Sequence, residues 1–362
     1  MFSSKKLIVL STGLLLAGVS FFGLDYSNAQ QMPPNSTNQK SASPSATVTP
    51  TPEEDDEPIK IDTEVVNVLF AAQDKNRRLL TDLKKEDVRL MENGQPQEIS
   101  YFARQVDLPL SLAILIDTSA SQERTLPEEK AAAISFLDSV IRPEKDEVSV
   151  VSFTGETTLE QGMTNNMARL RRAIERVEFV PPSGYIGGGV IAGGTPPISG
   201  RNQMTQGSTA LWDAIWITSA EVLGPAPEKT RRAIVILTDG VNTFGQKKLD
   251  DAVQAALKSE AVIYAVGVGD DYYGGIDKGA LNKITERTGG RAFFPKDETE
   301  LRKAFDQIQV EMRSQYLIAY EPSNQKRDGS FRTIEIQLQN PELQKQKVSL
   351  THRKGYFAKT NK

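Results

Sequence analysis

Leu110-Ser111-Leu112-Ala113-Ile114-Leu115-Ile116-Asp117-Thr118-Ser119-Ala120-Ser121 is an apolar run, broken by one small hydroxyl, that stops abruptly on an acid and two serines. A run without polar alternation is the pattern of a strand buried on both faces, as in a parallel sheet covered by helices. Residues 148–153, 233–237 and 262–268 have the same character, and 291–294 is a shorter example. Residues 157–163 read instead as a short strand returning antiparallel beside 148–153. Between these runs the apolar positions follow the helical period: Ile134, Leu137 and Ile141 after Pro127, then Leu170, Ile174 and Val177, then Leu211, Ile215 and Val222. Further helices fit 249–257, 280–287 and 300–312. This alternation predicts an α/β fold, a doubly wound, mostly parallel sheet of Rossmann-like character, over residues 108–313.

On both sides of that region the pattern changes to short β runs. Before it come 63–70, 88–92 and 98–102, with Glu92-Asn93-Gly94 as a turn and the charged segment 83–87 as a short connection. After it come 316–320, 331–338 and 348–352, with Asp328-Gly329 turning the chain. Neither flank is large enough to bury a good core alone. Residues 59–107 and 314–358 are therefore expected to pair into one small β-sandwich-like accessory domain into which the α/β domain is inserted.

The first 29 residues read as a signal peptide: Lys5 and Lys6, an apolar run over 7–22, and Ser27-Asn28-Ala29 as a small-residue cleavage site before Gln30. An uncleaved N-terminal anchor is the alternative, since the run is just short of the roughly 20 residues that span a bilayer. Residues 30–58 are rich in Pro, Ser, Thr and Asn and end in an acidic run, the composition of a disordered tether. An exported protein is expected, in the periplasm, at the cell surface or outside the cell.

Composition removes several classes of function. Lys and Arg total 43 against 47 Asp and Glu, so no broad positive field exists to attract nucleic acid. The absence of cysteine excludes disulfides, thiolate nucleophiles and thiolate-bound metals. The single histidine, His352, leaves no material for a multi-histidine metal site or a Ser-His-Asp triad, and is expected to be a surface imidazole.

Three segments carry the chemistry: Asp117-Thr118-Ser119-Ala120-Ser121, Gly207-Ser208-Thr209-Ala210-Leu211 and Thr238-Asp239-Gly240. Each falls at a predicted strand end or helix start, where open α/β sheets place their ligands. Alone, each reads as a helix cap. Together they form a set of hard oxygen donors, with negative charge from Asp117 and Asp239 and neutral oxygens from Ser119, Ser121 and Thr209. Such a set suits Mg2+, or Mn2+ or Ca2+, and leaves net positive charge on the ion.

These three parts resemble the metal-ion-dependent adhesion site of von Willebrand factor A domains. Residues 60–358 also resemble the related family first described in acidobacterial-type sequences, through Lys84-Lys85-Glu86-Asp87-Val88, the Asn93-Gly94 turn and Gln315-Tyr316-Leu317-Ile318-Ala319-Tyr320. The resemblance implies a divalent cation held by Asp117, Ser119, Ser121, Thr209 and Asp239, and a protein partner whose Asp or Glu carboxylate completes the metal's shell. It also marks one departure: Ala120 stands where most members have Gly, so a loop needing positive φ would be strained. The Gly- and Pro-rich segment 181–206 ends just before Thr209 and is expected to shape partner choice at the rim of the site. Asp270 and Asp271 fall on the same edge and read as solvated turn residues.

Enzymatic readings fare worse. Gly267-Val268-Gly269 follows a strand, but Tyr272 stands where a dinucleotide fingerprint needs Gly, and no phosphate-binding loop or nucleophile elbow occurs. A metal-assisted hydrolase would need a general base besides Asp117 and Asp239. The stronger competitor is a structural or assembly scaffold of the cell envelope, in which the metal merely stiffens the loops.

Overall fold

In chain order the strands and helices are β1 (Val66–Gln73), β2 (Val88–Glu92), β3 (Gln95–Gln97), β4 (Tyr101–Gln105), β5 (Leu110–Asp117), α1 (Leu126–Val140), β6 (Glu147–Phe153), β7 (Thr157–Thr164), α2 (Met167–Arg176), α3 (Leu211–Ile217), β8 (Arg231–Thr238), α4 (Leu249–Lys258), β9 (Ala261–Gly267), α5 (Lys278–Thr288), β10 (Ala292–Phe293), α6 (Glu298–Arg313), β11 (Gln315–Tyr320), β12 (Phe331–Leu338), α7 (Pro341–Lys345), β13 (Ser349–His352) and β14 (Gly355–Phe357). This computed structural model describes residues 65–105, 107–181, 207–227, 230–269 and 275–360. The expected leader and tether, nearly all of the 181–206 loop, and Asp270 and Asp271 lie outside the described residues.

The central sheet has the order β10-β9-β8-β5-β6-β7. All its pairings are parallel except β6 with β7, which is antiparallel as its sequence suggested. All eight residues of β5 are buried, because alternate side chains enter two different cores. Leu112, Ile114 and Ile116 meet Phe136, Leu137 and Phe305 of α1 and α6 on one face. Ala113 and Leu115 meet Leu211, Ile215 and Leu281 of α3 and α5 on the other. The expected fold class is borne out, and β5 lies at the middle of the sheet, where its C-terminal end opens between flanking helices.

The two flanks interleave. One four-stranded sheet is ordered β13-β1-β11-β4 and the other β14-β12-β2-β3. Val66 to Phe70 therefore pair antiparallel with Tyr320 to Tyr316, and Ile334 to Leu338 with Glu92 to Val88. Between the sheets lies a third core that includes Val68, Phe70, Leu90, Tyr316, Ile318 and Ile336, with the Phe70 and Tyr316 rings stacked at 5.2 Å. A buried polar knot sits in it: the Tyr320 and Tyr356 hydroxyls donate to Glu92 at 2.6 and 3.0 Å, and Arg332 lies 3.6 Å from the same carboxylate.

Several details differ from the sequence reading. Residues 98–102 do not form one strand: β3 and β4 belong to different sheets, and the chain crosses between them at 98–100. The helical period reaching Val222 ends as α-helix at Ile217 and continues as a π-helical turn over Thr218–Leu223. The short α7 and β14 were not foreseen. His352 is not a surface residue. It is 4% exposed, because β13 pairs with β1 beside Phe70. Its Nδ1 meets the Arg353 carbonyl at 2.8 Å and its Nε2 faces the Ile336 N–H at 3.3 Å, which assigns the tautomer with the proton on Nδ1. Burial pushes its pKa down to about 4.

Candidate metal site

At the C-terminal end of β5, Asp117 is fully buried. Its Oδ1 accepts from the Ser119 backbone N–H at 2.9 Å, and its Oδ2 accepts from the Thr238 hydroxyl at 2.6 Å. Thr238 closes β8, the neighbour of β5 in the sheet. Its hydroxyl in turn accepts from Gly240 N–H at 3.1 Å. Sheet register thus delivers the first and third sequence segments to one place. Ser119 and Ser121 approach each other at 3.2 Å between hydroxyl oxygens. Asp239, 3% exposed, accepts from Val241 N–H at 2.9 Å and is hydrogen-bonded by Ser121.

Thr209 comes to the same edge by another route. Its carbonyl accepts from Thr243 and Phe244 of the loop that follows Asp239, both at 3.0 Å, and its N–H donates to the Thr243 hydroxyl at 2.8 Å. Ala210 N–H donates to the Thr154 carbonyl just past β6 at 2.7 Å. Asp117, Ser119, Ser121 and Asp239 are linked to one another by direct contacts, and Thr209 is joined to them through the backbone of its neighbours. Ala120, Ser121, Gly207, Ser208, Val241 and Asn242 are partly exposed around this edge, so the carboxylates lie at the bottom of an approachable rim.

The electrostatics are those of a place that lacks positive charge. Burial is the main cause that raises the Asp117 pKa, to about 7, and the charge of Asp239 raises it further, while the Ser119 and Thr238 hydrogen bonds act the other way. Asp239 is raised too, first by burial, with the Ser121 and Val241 hydrogen bonds opposing and Asp277 adding to the rise. Two buried carboxylates, each disfavoured in its ionised form by burial and a neighbouring negative charge and ringed by hydroxyls, fit a hard divalent cation, which would relieve both. Among the described residues no three His, Cys, Asp or Glu side chains are grouped so as to hold a metal, so such a cation would depend on the hydroxyl oxygens. When bound it would supply a Lewis-acidic centre with room for an outside oxygen ligand.

Two features of the loop correct or extend the sequence reading. Ala120 does not occupy the positive-φ region. It opens a 3-10 turn over Ala120–Gln122 instead, so its methyl group imposes no backbone strain. The glycines the site does require are Gly240, which holds φ at 81°, and Gly269, where a Cβ would come within 2.9 Å of the Asp239 Cβ. The loop is braced by Gln122, whose Nε2 reaches the Ser121 hydroxyl at 3.3 Å and whose Oε1 accepts from Thr125 at 2.9 Å.

Sequence reasoning missed three participants. Thr238 was inside a quoted motif but had no assigned part. Asp277 was not singled out, yet it donates its N–H to the Asp239 carbonyl at 2.8 Å and its charge raises Asp239 further. Glu129, on the inner face of α1, is 1% exposed, and neither of its carboxylate oxygens has a hydrogen-bond partner. Burial is the main cause of a pKa pushed up to about 8, with Asp117 and Asp239 adding to it. The signal for Glu129 was available, because Leu126, Glu129, Ala133, Phe136 and Val140 share one helical stripe in which a lone acid is out of place.

Two family models, each described as von Willebrand factor type A domain, match residues 112–242 and 198–307. Between them they run from β5 into α6. The chain is a von Willebrand factor type A domain protein. The search of curated proteins returned no match. Among solved structures, this chain aligns with proximal thread matrix protein 1 from the mussel byssus at 21% identity and a TM-score of 0.44, covering 61% of this chain and 51% of the mussel protein. This chain thus spans about half the length of the mussel protein. An aerotolerance-related membrane protein from Bacteroides fragilis, with multiple mutations to serines, aligns at 18% identity and a TM-score of 0.41, covering 56% of this chain and 99% of that one. The conserved hypothetical protein BatB from Bacteroides thetaiotaomicron aligns at 18% identity and a TM-score of 0.42, with coverage of 57% and 100%. Another structure of the mussel protein has a zinc-occupied MIDAS motif, the metal-ion-dependent adhesion site.

Proposed function

We propose that this chain is an exported, metal-dependent protein-binding module. In this reading Asp117, Ser119, Ser121, Thr209 and Asp239 hold a divalent cation, Mg2+ or else Mn2+ or Ca2+, and the cation accepts an Asp or Glu carboxylate from a protein partner. The observation that carries it is the convergence of two buried carboxylates, Asp117 and Asp239, in a shell of hydroxyls from Ser119, Ser121 and Thr238. The partly exposed rim supports access by a partner's side chain. Binding is the function in this reading, with Asp117 and Asp239 assigned to the metal. Export rests on Lys5, Lys6, the apolar run 7–22 and Ser27-Asn28-Ala29. The proposed organisation is a leader over 1–29, a tether over 30–58, and flanks 59–107 and 314–358 around a binding domain at 108–313. The loop 181–206 sets partner choice in this scheme, so its deletion alters which partner binds.

Calorimetry on the chain from Gln30 onward tests the metal site, with Mg2+, Mn2+ and Ca2+ added separately to the native protein and to Asp117→Ala. The expected result is a saturable heat that the substitution abolishes without loss of the folded state. Absence of binding by every ion would overturn the proposal. Chelation is then expected to release a bound partner. Partner binding that survives chelator would replace this reading with a metal-independent envelope scaffold.

A further inference from the structure

A cavity of about 220 Å3 lies at the opposite end of the central sheet from the candidate metal site. It sits where β8 and β9 begin, beneath the outer face of the β1–β11 pair. Leu69 and Leu317, which are register partners in that pair, line it together with Leu108, Leu257 and Val262. Against these apolar walls stand three arginines, Arg231, Arg232 and Arg353, and a single carboxylate, Glu260. The lining therefore carries an excess of positive charge in a mostly apolar enclosure.

The guanidinium groups are held in place from behind. Arg353 donates to the Asn67 carbonyl at 2.6 Å, Arg232 to the Ala226 and Pro227 carbonyls at 2.7 and 3.2 Å, and Arg231 to the Met312 carbonyl. The Arg232 and Arg353 side chains are about nine-tenths buried, at 9% and 10% exposure, yet the Nε of each has no hydrogen-bond partner. A buried N–H without an acceptor is uncommon in native proteins and calls for one. Glu260 meets the demand only in part: it lies 3.3 Å from Arg353 and 3.8 Å from Arg232 and is half exposed. It also holds φ at 54°, just past the end of α4, where glycine is the usual residue. The two guanidiniums meet through one loosely placed carboxylate, with donors to spare.

We infer that this cavity is a binding site for a small carboxylate with an apolar body, the carboxylate bridging Arg232 and Arg353 and the body packing against Leu69, Leu257 and Leu317. The volume agrees, since an apolar cavity of roughly 150 Å3 already holds a benzene ring. Glu260 is the internal competitor that the incoming carboxylate displaces or supplements. Such a ligand would bridge the accessory sheet, through Arg353, to the start of β8. The inference is independent of the proposed metal site, which lies at the other end of the strands.

The test is calorimetry on the full chain in the presence of chelator, with phenylacetate as the probe and phenethyl alcohol and acetate as controls. Phenylacetate is expected to bind at least about tenfold more tightly than either control, the charge-assisted contacts and the apolar body each being required. Arg353→Gln and Leu69→Phe, the second filling the cavity without touching charge, are each expected to weaken it about tenfold. Glu260→Gly, which relieves the backbone and removes the competitor, is expected to tighten it. Asp117→Ala is expected to change nothing. Equal binding of the alcohol, no binding of phenylacetate, or binding that Leu69→Phe leaves intact would overturn the inference, and so would loss in Asp117→Ala alone. Glycyl-phenylalanine against its C-terminal amide identifies the source: tighter binding of the free acid than of phenylacetate points to a polypeptide C-terminus, and the reverse to a free small molecule.

Discussion

Glu129→Gln should flatten the pH dependence of stability of the metal-free protein. The carboxyl group is fully buried, has no hydrogen-bond partner, and lies in the field of Asp117 and Asp239. The Thr125 hydroxyl, which donates to Gln122, opposes the rise in its pKa only in part. Its pKa therefore moves from an ordinary 4.5 to about 8 on folding. Between those values the folded protein keeps a proton that the unfolded chain has released, so stability is full below about pH 4.5 and falls as pH rises toward about 8. At about 1.4 kcal/mol per pH unit of separation, this one group removes on the order of 5 kcal/mol across the window. That is comparable with the whole stability of a typical domain, about 5–15 kcal/mol. Urea unfolding in chelator at half-unit steps from pH 5 to pH 9 measures it. Asp117, displaced in the same direction to about 7, steepens the curve of both proteins, so the difference between the curves reports Glu129 together with its coupling to Asp117. The native protein is expected to lose several kcal/mol more than the variant. Parallel curves would show that Glu129 is solvated or partnered and that the reasoning from its burial is wrong.

Other consequences can be measured on the same material. Thr238→Val removes the 2.6 Å hydrogen bond to Asp117 and leaves a buried carboxylate oxygen short of a donor, at about 1–3 kcal/mol; metal affinity at pH 7 is expected to fall about tenfold with a smaller deficit at pH 8.5, and equal affinities would refute the link. His352, with its pKa lowered from 6.5 to about 4 by burial, should destabilise the protein as pH falls through that window, by about 3 kcal/mol. His352→Gln keeps an acceptor for Ile336 N–H without titrating and should lack this acid limb; an unchanged limb would assign it to another group. Ala120→Gly should leave metal affinity within about twofold and lower stability by roughly 0.5–1 kcal/mol, as expected of glycine placed in a helical turn; a large gain in affinity would mean that the loop does need positive φ.

The central sheet was legible because burial on both faces writes itself into β5, β6, β8 and β9 as unbroken apolar runs, and because its helices keep a clear period. The flanks were harder. Residues 98–102 have one continuous β-like pattern, yet the chain changes sheets there, and which sheet a strand joins depends on partners at the far end of the sequence. His352 was misread for the same reason: a polar residue between Thr351 and Arg353 looks solvated until β1 is placed beside it. The motif residues at the candidate site were readable because loop chemistry is local. Thr238 was not, since its part depends on what the sheet register sets opposite Asp117, whereas Glu129 was legible as a lone acid on the apolar stripe of α1 and was passed over. Ala120 shows the reverse error, a strain inferred from residue type that the 3-10 turn does not contain.

The interleaving of the two flanks also governs the order in which this molecule can fold. Both neighbours of β1 are β11 and β13, and the neighbour of β4 is β11, so of the first four strands only β2 and β3 can pair before the C-terminal flank exists. Roughly 200 residues separate the two halves, which at about 5–20 residues per second is a delay on the order of tens of seconds during synthesis. Through that interval β1 offers two open edges and β4 one, with Val68 and Phe70 uncovered, the condition under which strands recruit wrong partners. The inserted α/β domain shortens the wait in space if not in time: by folding first between β4 and β11 it replaces a long chain closure with a short one, and the sandwich then closes as a final, late event.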